Sequence, residues 1–213
     1  VPVHDAGTLA DGRAFYVMKL VRGERLDRKL HAEASVGERL GIFLRICDAV
    51  SFAHAQGIVH RDLKPENVMI GSFGEVLVMD WGVAKLLAGS DADNVVVGTP
   101  GYMAPEQVSG RADARADVFA LGVILQGIVP TPAPRPLRAI AEKARSQAID
   151  DRYATVAALA GDVARFRDGR RVEGYRETVP ERLGRVYRRH RLPILLVLAY
   201  MAMRVALLVW RGI

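Results

Sequence analysis

HRDLKPEN, at residues 60–67, is the stretch of this 213-residue chain that decides the fold. Thirteen residues after Asn67 the chain reads Asp80-Trp81-Gly82, and residues 98–106 then read GTPGYMAPE. A single Asp-x-Lys triplet is usually a surface feature with no chemical role. The three segments at 60–67, 80–82 and 98–106, in this order and at these spacings, are not a chance arrangement, and together they indicate one chemistry.

The polar residues in these segments suit phosphoryl transfer. That reaction needs an in-line hydroxyl, metal ions on the phosphates and neutralisation of charge, but little covalent help from the protein. Asp62 can accept a hydroxyl proton, and Lys64, two residues further on, can reach the transferring phosphate. Asn67 and Asp80 offer the hard oxygen ligands that Mg²⁺ prefers. The residues therefore predict a site for a Mg²⁺-bound triphosphate.

The three segments resemble the catalytic loop, the metal-binding triplet and the end of the activation segment of eukaryotic-type protein kinases. More narrowly, residues 1–171 resemble bacterial Ser/Thr kinases that carry a membrane anchor after the kinase domain. The resemblance implies an α+β, protein kinase-like fold: mainly the helical C-lobe, a remnant of the N-lobe sheet and a C-terminal hydrophobic helix. It also implies ATP and Mg²⁺ as cofactors and a protein Ser or Thr hydroxyl as substrate.

The resemblance assigns catalytic roles to five residues. Asp62 would be the catalytic base and Lys64 the lysine that contacts the phosphate, which is the Ser/Thr form of this loop. Asn67 and Asp80 would hold Mg²⁺. Thr99 would bond to Asp62 and Lys64 and help to seat the substrate hydroxyl.

The nucleotide base would be held by residues from the N-terminal part of the chain. By resemblance, Met18 would be the gatekeeper, and the backbone of Lys19 and Val21 would meet adenine. Met69 would lie beneath the base, although a plain core position is the alternative for this residue.

Further residues have structural or regulatory roles in the family pattern. Glu106 would form a buried ion pair with Arg152, and Asp117 would hold the backbone of the catalytic loop. Trp81 stands where the family usually has Phe, which is a tolerable exchange in a packing position. Ser90 is the best candidate phosphosite of the activation segment. An equally good interpretation is that Ser90 is an ordinary loop residue.

The sequence departs from the family pattern before residue 60. The glycines there are isolated, so there is no glycine-rich phosphate loop, and the only lysines are Lys19 and Lys29. We therefore expect the chain to begin after the first N-lobe strands and to have little or no activity alone. Prolines in the short connector 129–136 also replace a helix that helps substrate docking in the family.

Other functions remain open at this stage. One alternative is a catalytically inactive, kinase-like binding module at the membrane. A glycine-rich loop and a strand lysine in preceding sequence would favour the enzyme over this module. A small-molecule phosphotransferase can share the Asp…Asn…Asp arrangement, but residues 98–106 match an activation segment for protein substrates. The formal charge is +6, yet aromatic residues are sparse in the basic stretch 165–191, so nucleic acid is not expected as a partner. The single cysteine, Cys47, excludes an internal disulfide and a Cys-based zinc site.

A membrane span is predicted at residues 192–210, an apolar run interrupted by Arg204. A central Arg costs about 2.5–3.5 kcal/mol, and the Leu, Ile and Val residues of the run return roughly 3–5 kcal/mol. An amphipathic or core helix is the alternative. Arginines cluster before the run, which predicts a single-pass protein with a cytoplasmic kinase portion. The predicted divisions are 1–23, N-lobe remnant and hinge; 24–171, C-lobe; 172–191, basic juxtamembrane segment; and 192–210, span.

Overall fold

The computed structural model describes residues 3–29, 34–81, 85–86, 98–110 and 113–211. The strands are β1 Val3–Thr8, β2 Ala14–Met18, β3 Gly23–Arg25, β4 Ile58–Val59, β5 Val68–Gly71, β6 Val76–Val78 and β7 Lys85–Leu86. The α-helices are α1 Leu26–Lys29, α2 Val36–Ala55, α3 Arg115–Ile128, α4 Arg135–Ala144, α5 Val156–Arg167 and α6 Val179–Arg211. Short 3₁₀ turns cover Pro65–Asn67, Pro105–Ser109 and Ile149–Asp151. The prediction of a mostly helical α+β fold with small sheets is confirmed.

Within the described residues the strands form three small antiparallel sheets. Strands β1 and β2 pair with each other around the predicted turn, where Gly12 has a φ of 84° and Asp11 accepts from the backbone N–H of Arg13. Strand β5 lies between β3 and β6, and β4 pairs with β7. Because β3 pairs with β5, the chain that follows β2 is brought alongside the strand that leaves the catalytic loop.

Helix α2 begins and ends where its sequence predicts. Ser35 is the N-cap: its hydroxyl accepts from the N–H of Glu38, and the Glu38 carboxylate accepts from the N–H of Ser35, which makes a capping box. The predicted stop, Gly57, lies two residues beyond the helix with a φ of 74°. The buried side chains follow helical spacing, and they are Leu40, Phe43, Ile46, Cys47, Val50 and Ala53.

The core joins helices α1 to α5 to the central sheet. Helix α3 is buried almost all round, as its apolar sequence predicts, and it lies among α2, α4 and α5. Leu63, in the catalytic loop, and Val68 and Val78, in β5 and β6, belong to the same buried cluster. This packing fixes the catalytic loop on the surface of a rigid helical body.

The C-terminal stretch forms one helix, α6, which contains the apolar run 192–210 together with Pro193 and Arg204. Its apolar side chains are largely exposed, and Trp210 is 76% exposed. None of the helices within the described residues is both long and apolar enough to cross a membrane. The fold therefore gives no support to the span predicted at 192–210.

Candidate active site

The backbone of the catalytic loop is held by one buried carboxylate. Asp117, in the first turn of α3, accepts from the N–H of His60 at 2.9 Å and from the N–H of Arg61 at 2.8 Å. Arg61 has a φ of 70°, a left-handed conformation that costs a residue other than Gly about 1–3 kcal/mol. The two bonds to Asp117 stabilise this turn. His54 of α2 also contacts Asp117, with its Nε2 2.8 Å from Oδ2.

Asp62, Lys64 and Thr99 meet in one network. The Thr99 hydroxyl donates to Asp62 Oδ1 at 2.6 Å, and Lys64 Nζ lies 2.7 Å from Thr99 Oγ1 and 2.9 Å from Asp62 Oδ2. Burial alone would raise the pKa of Asp62. The hydrogen bonds from Thr99 and Lys64 and the charge of Lys64 outweigh burial, so this pKa lies below its ordinary value. Asp62 is therefore a carboxylate at neutral pH.

His60 connects the loop of Asp62 to the strand before Asp80. The N–H of Asp62 donates to His60 Nδ1 at 3.3 Å, and His60 Nε2 lies 2.9 Å from the carbonyl oxygen of Met79. Because Nδ1 accepts, Nε2 carries the proton and donates to Met79. The segments that carry Asp62 and Asp80 are therefore joined through one buried imidazole.

Asn67 lies between the catalytic loop and the segment of Asp80. Its side-chain Nδ2 donates to the backbone carbonyl oxygen of Asp62 at 2.9 Å, and its backbone carbonyl oxygen accepts from the N–H of Met79 at 2.7 Å. Asp80 is exposed and has a φ of 57°. The amide oxygen of Asn67 and the Asp80 carboxylate are hard donors on neighbouring segments, which fits a Mg²⁺ ion that takes its other ligands from phosphate and water. No group of three or more His, Cys, Asp or Glu side chains able to hold a metal occurs among the described residues.

The end of the activation segment is attached to the helical body at two points. Arg152 donates to both carboxylate oxygens of Glu106, at 2.6 and 2.8 Å, and its side chain is 0% exposed. Gln107 donates from Nε2 to the carbonyl oxygen of Arg61 at 2.8 Å and accepts from the N–H of Ala104. Gln107 was missed by the sequence analysis because an isolated glutamine carries no motif signal.

The residues predicted to meet adenine lie before and within the central sheet. Met18 is the last residue of β2, and Lys19 and Val21 follow it in the stretch that leads to β3. Met69, in β5, pairs with Arg25 of β3 and is half-buried. Their contact with adenine stays a prediction. Ser90, the candidate phosphosite, lies outside the described residues.

The protein kinase domain family model matches residues 4–164, which is most of the chain. The chain belongs to the protein kinase family. Among its relatives is serine/threonine-protein kinase PknD of Protochlamydia amoebophila strain UWE25, which is 32% identical over 235 aligned residues, 80% of this chain and 24% of that protein. Serine/threonine-protein kinase Pkn1 of Myxococcus xanthus is 36% identical over 192 residues, 69% of this chain and 27% of that protein.

A shorter match of higher identity covers part of the chain. Serine/threonine-protein kinase PknD of Chlamydia felis strain Fe/C-56 is 41% identical over 122 residues, 48% of this chain and 13% of that protein. The matches thus cover between 13% and 27% of these relatives' own lengths. All three of these relatives are named as serine/threonine-protein kinases.

Proposed function

We propose that this kinase transfers the γ-phosphoryl group of ATP to a Ser or Thr hydroxyl of a protein substrate. The observation that carries the proposal is the network of Asp62, Lys64 and Thr99, with all three contacts between 2.6 and 2.9 Å. Such a network holds a carboxylate and an ammonium group side by side without letting either turn away. Phosphoryl transfer depends on this kind of positioning more than on covalent help from the protein.

Each residue of the network has a defined part in the proposed reaction. The lowered pKa of Asp62 keeps it ionised, so it accepts a hydrogen bond from the substrate hydroxyl and receives its proton as the phosphoryl group leaves ATP. Lys64 offsets negative charge on the transferred group. Thr99 fixes the direction of the carboxylate by donating to Oδ1, which leaves Oδ2 and Lys64 facing the reacting groups.

The cofactor in this proposal is ATP with Mg²⁺. Asn67 and Asp80 are the residues that would hold Mg²⁺, and the ion would supply positive charge that offsets the charge of the phosphates. The base would lie against Met18 and Met69, with hydrogen bonds to the backbone of Lys19 and Val21. Support for this arrangement is the donor chemistry of Asn67 and Asp80 and the backbone bond that joins their segments.

The test measures transfer of radiolabelled γ-phosphate to a generic basic protein by the natural gene product that carries residues 1–213. Asp62→Asn should abolish transfer, because Asn cannot accept the proton. Asp168→Asn is the matched control, since Asp168 is an exposed carboxylate beyond α5, and it should leave the rate unchanged. Equal rates for Asp62→Asn and the unsubstituted protein would refute the proposal. No transfer by any of the three would favour the kinase-like binding module.

We also propose that the kinase is held at a membrane by residues 192–210, with its kinase portion on the cytoplasmic side. Support comes from the sequence pattern, in which arginines precede an apolar run, and from the exposed Leu195, Leu196 and Trp210 of α6. The natural gene product should remain in the membrane fraction after washing with alkaline carbonate and leave it in detergent. Recovery in the soluble fraction without detergent would contradict this localisation.

A further inference from the structure

The side chain of Trp81 makes a hydrogen bond that no phenylalanine can make. Its indole Nε1–H donates to the carbonyl oxygen of Val78 at 3.0 Å, three residues earlier in the chain. The bond closes a loop around Met79 and Asp80. In the family pattern the Trp81 ring only fills the space of Phe, and the indole N–H goes beyond that packing role.

The backbone enclosed by this bond is strained. Asp80 has a φ of 57°, in the left-handed region that residues other than Gly adopt rarely. Such a conformation persists only where the surroundings impose it. A constraint that acts on both sides of Asp80 is therefore needed to keep its carboxylate in one direction.

Both sides of Asp80 are constrained. On the N-terminal side, the N–H of Met79 donates to Asn67 and the carbonyl oxygen of Met79 accepts from His60. On the C-terminal side, Trp81 is tied back to Val78, and its ring packs against the His60 ring with the ring centres 4.6 Å apart. The indole is half-buried, which protects its hydrogen bond from exchange with water.

We propose that Trp81 is a positioning residue for Asp80: the indole N–H holds the left-handed turn that aims the Asp80 carboxylate at the metal site. This inference rests on the proposed function, because it takes Asp80 as a metal ligand. A ring without the N–H fills the same space and leaves the turn less constrained. The consequence is a weaker metal site in a protein that is otherwise folded.

The first measurement detects the bond without any metal. With Trp210→Phe as background, Trp81 is the only indole in the 213-residue chain, and its ¹H–¹⁵N signal should exchange slowly with solvent. Trp210→Phe itself is the matched exchange of an exposed indole and should leave the fold and the metal site unchanged. An indole proton of Trp81 that exchanges as fast as that of a free tryptophan would overturn the proposal.

The second measurement uses Mn²⁺ with ADP, followed by electron paramagnetic resonance, on the natural gene product. Trp81→Phe should weaken Mn²⁺ binding about fivefold, because a turn that the bond no longer holds must be ordered when the metal binds, and the circular dichroism spectrum of the folded protein should stay unchanged. Replacing Trp81 with benzothienylalanine, which keeps the ring shape but has sulfur in place of N–H, should have the same effect even if Trp81→Phe does not fold.

A change of less than twofold in the benzothienylalanine variant would overturn the positioning role. Asp80→Asn distinguishes this failure from failure of the proposed function. If Asp80→Asn abolishes Mn²⁺ binding while loss of the indole N–H leaves Mn²⁺ affinity unchanged, the metal site is supported and the positioning role of Trp81 is wrong. If Asp80→Asn has no effect, or the unsubstituted protein does not bind Mn²⁺ with ADP, both proposals fail together.

Discussion

The Arg152 side chain of this kinase bonds to side-chain and backbone acceptors from several segments. In addition to Glu106, its guanidinium donates to the carbonyl oxygens of Ser146, at 2.7 Å, and Arg115, at 3.2 Å, and it lies over the Phe119 ring. A planar group with five donors can satisfy all of these partners at once, whereas lysine cannot. The family resemblance predicts the pairing with Glu106. The backbone acceptors could not be predicted, because their positions depend on how the chain turns between α4 and α5.

Arg152→Met should therefore destabilise the fold strongly. It removes the donor that Arg152 supplies to the Glu106 carboxylate and to the carbonyl oxygens of Ser146 and Arg115, and breaking a buried pair on one side costs about 3–5 kcal/mol. Arg138→Met is the control, because Arg138 forms an exposed pair with Glu142 and should cost at most about 0.5 kcal/mol. Urea unfolding followed by circular dichroism measures both. Similar losses in the two variants would contradict the stabilising role of the buried pair.

At the scale of single elements, the start of helix α2 is stabilised by the side chain of Ser35, which lies just outside the helix. Helix α2 has a reciprocal cap between Ser35 and Glu38, in which the hydroxyl and backbone of Ser35 hold the pKa of Glu38 below its ordinary value. The apolar spacing of residues 36–56, followed by Gly57, matches the observed bounds of α2, Val36–Ala55, to within a residue. Where the signals disagree, as at β3, the strand went unpredicted: Gly23–Arg25 is extended because β5 is available to pair with it.

Ser35→Ala should lower the free energy of unfolding by about 1 kcal/mol, since it removes the acceptor for the N–H of Glu38 and one partner of the Glu38 carboxylate. Ser72→Ala, in the exposed turn between β5 and β6, is the matched control and should change it by less than about 0.5 kcal/mol. Thermal unfolding of the two variants gives the comparison. Equal melting temperatures would mean that the cap contributes nothing to the stability of α2.

Helix α5 contributes a buried carboxylate that collects four donors. Asp162 accepts from the N–H groups of Glu173 and Gly174, from the Tyr153 hydroxyl and from Arg165. Burial alone would raise the pKa of Asp162, but these bonds outweigh it and the pKa lies below its ordinary value. The carboxylate thereby attaches the segment after α5 to the C-lobe. No motif signal marks Asp162, because its partners are identifiable only once the chain has folded.

The lowered pKa of Asp162 predicts a dependence of stability on pH. A group whose pKa is lower in the folded state contributes its full stabilisation above its unfolded pKa, about 3.9, and loses it as the pH falls through the folded value. Asp162→Asn should therefore cost about 2 kcal/mol at pH 7, and the difference from the unsubstituted protein should shrink below about pH 4. Asp168→Asn is the control. Urea unfolding at pH 7 and pH 3 measures the effect, and a difference that is independent of pH would contradict it.

At the scale of the whole molecule, the parts that were predictable are those whose signal is local. The catalytic motif, the N-terminal hairpin and the long helices each follow from consecutive residues. The contacts that were missed join distant parts of the chain: β4 with β7, His54 with Asp117, and Gln107 with the carbonyl of Arg61. Such pairs depend on topology, so one sequence alone does not determine them.

The activity of the isolated 213-residue chain is the prediction that belongs to this scale. These residues contain no glycine-rich run before His60 and no lysine there except Lys19 and Lys29, so the ATP phosphates lack a cover and a cation on one side. We expect little or no release of ADP from Mg·ATP in the presence of a generic basic protein. Robust turnover that disappears in Asp62→Asn would show this expectation to be wrong.

The adjacency of Arg152 and Tyr153 has a mechanical consequence. Arg152 donates to Glu106 at the end of the activation segment, and Tyr153 donates to Asp162. Asp162 also accepts from the backbone N–H groups of Glu173 and Gly174. The peptide unit between Arg152 and Tyr153 therefore links the end of the activation segment to the segment after α5. Tension on the chain that leads into α6 would be transmitted to the end of the activation segment while the bonds of Arg152 to Glu106 and of Tyr153 to Asp162 are still intact.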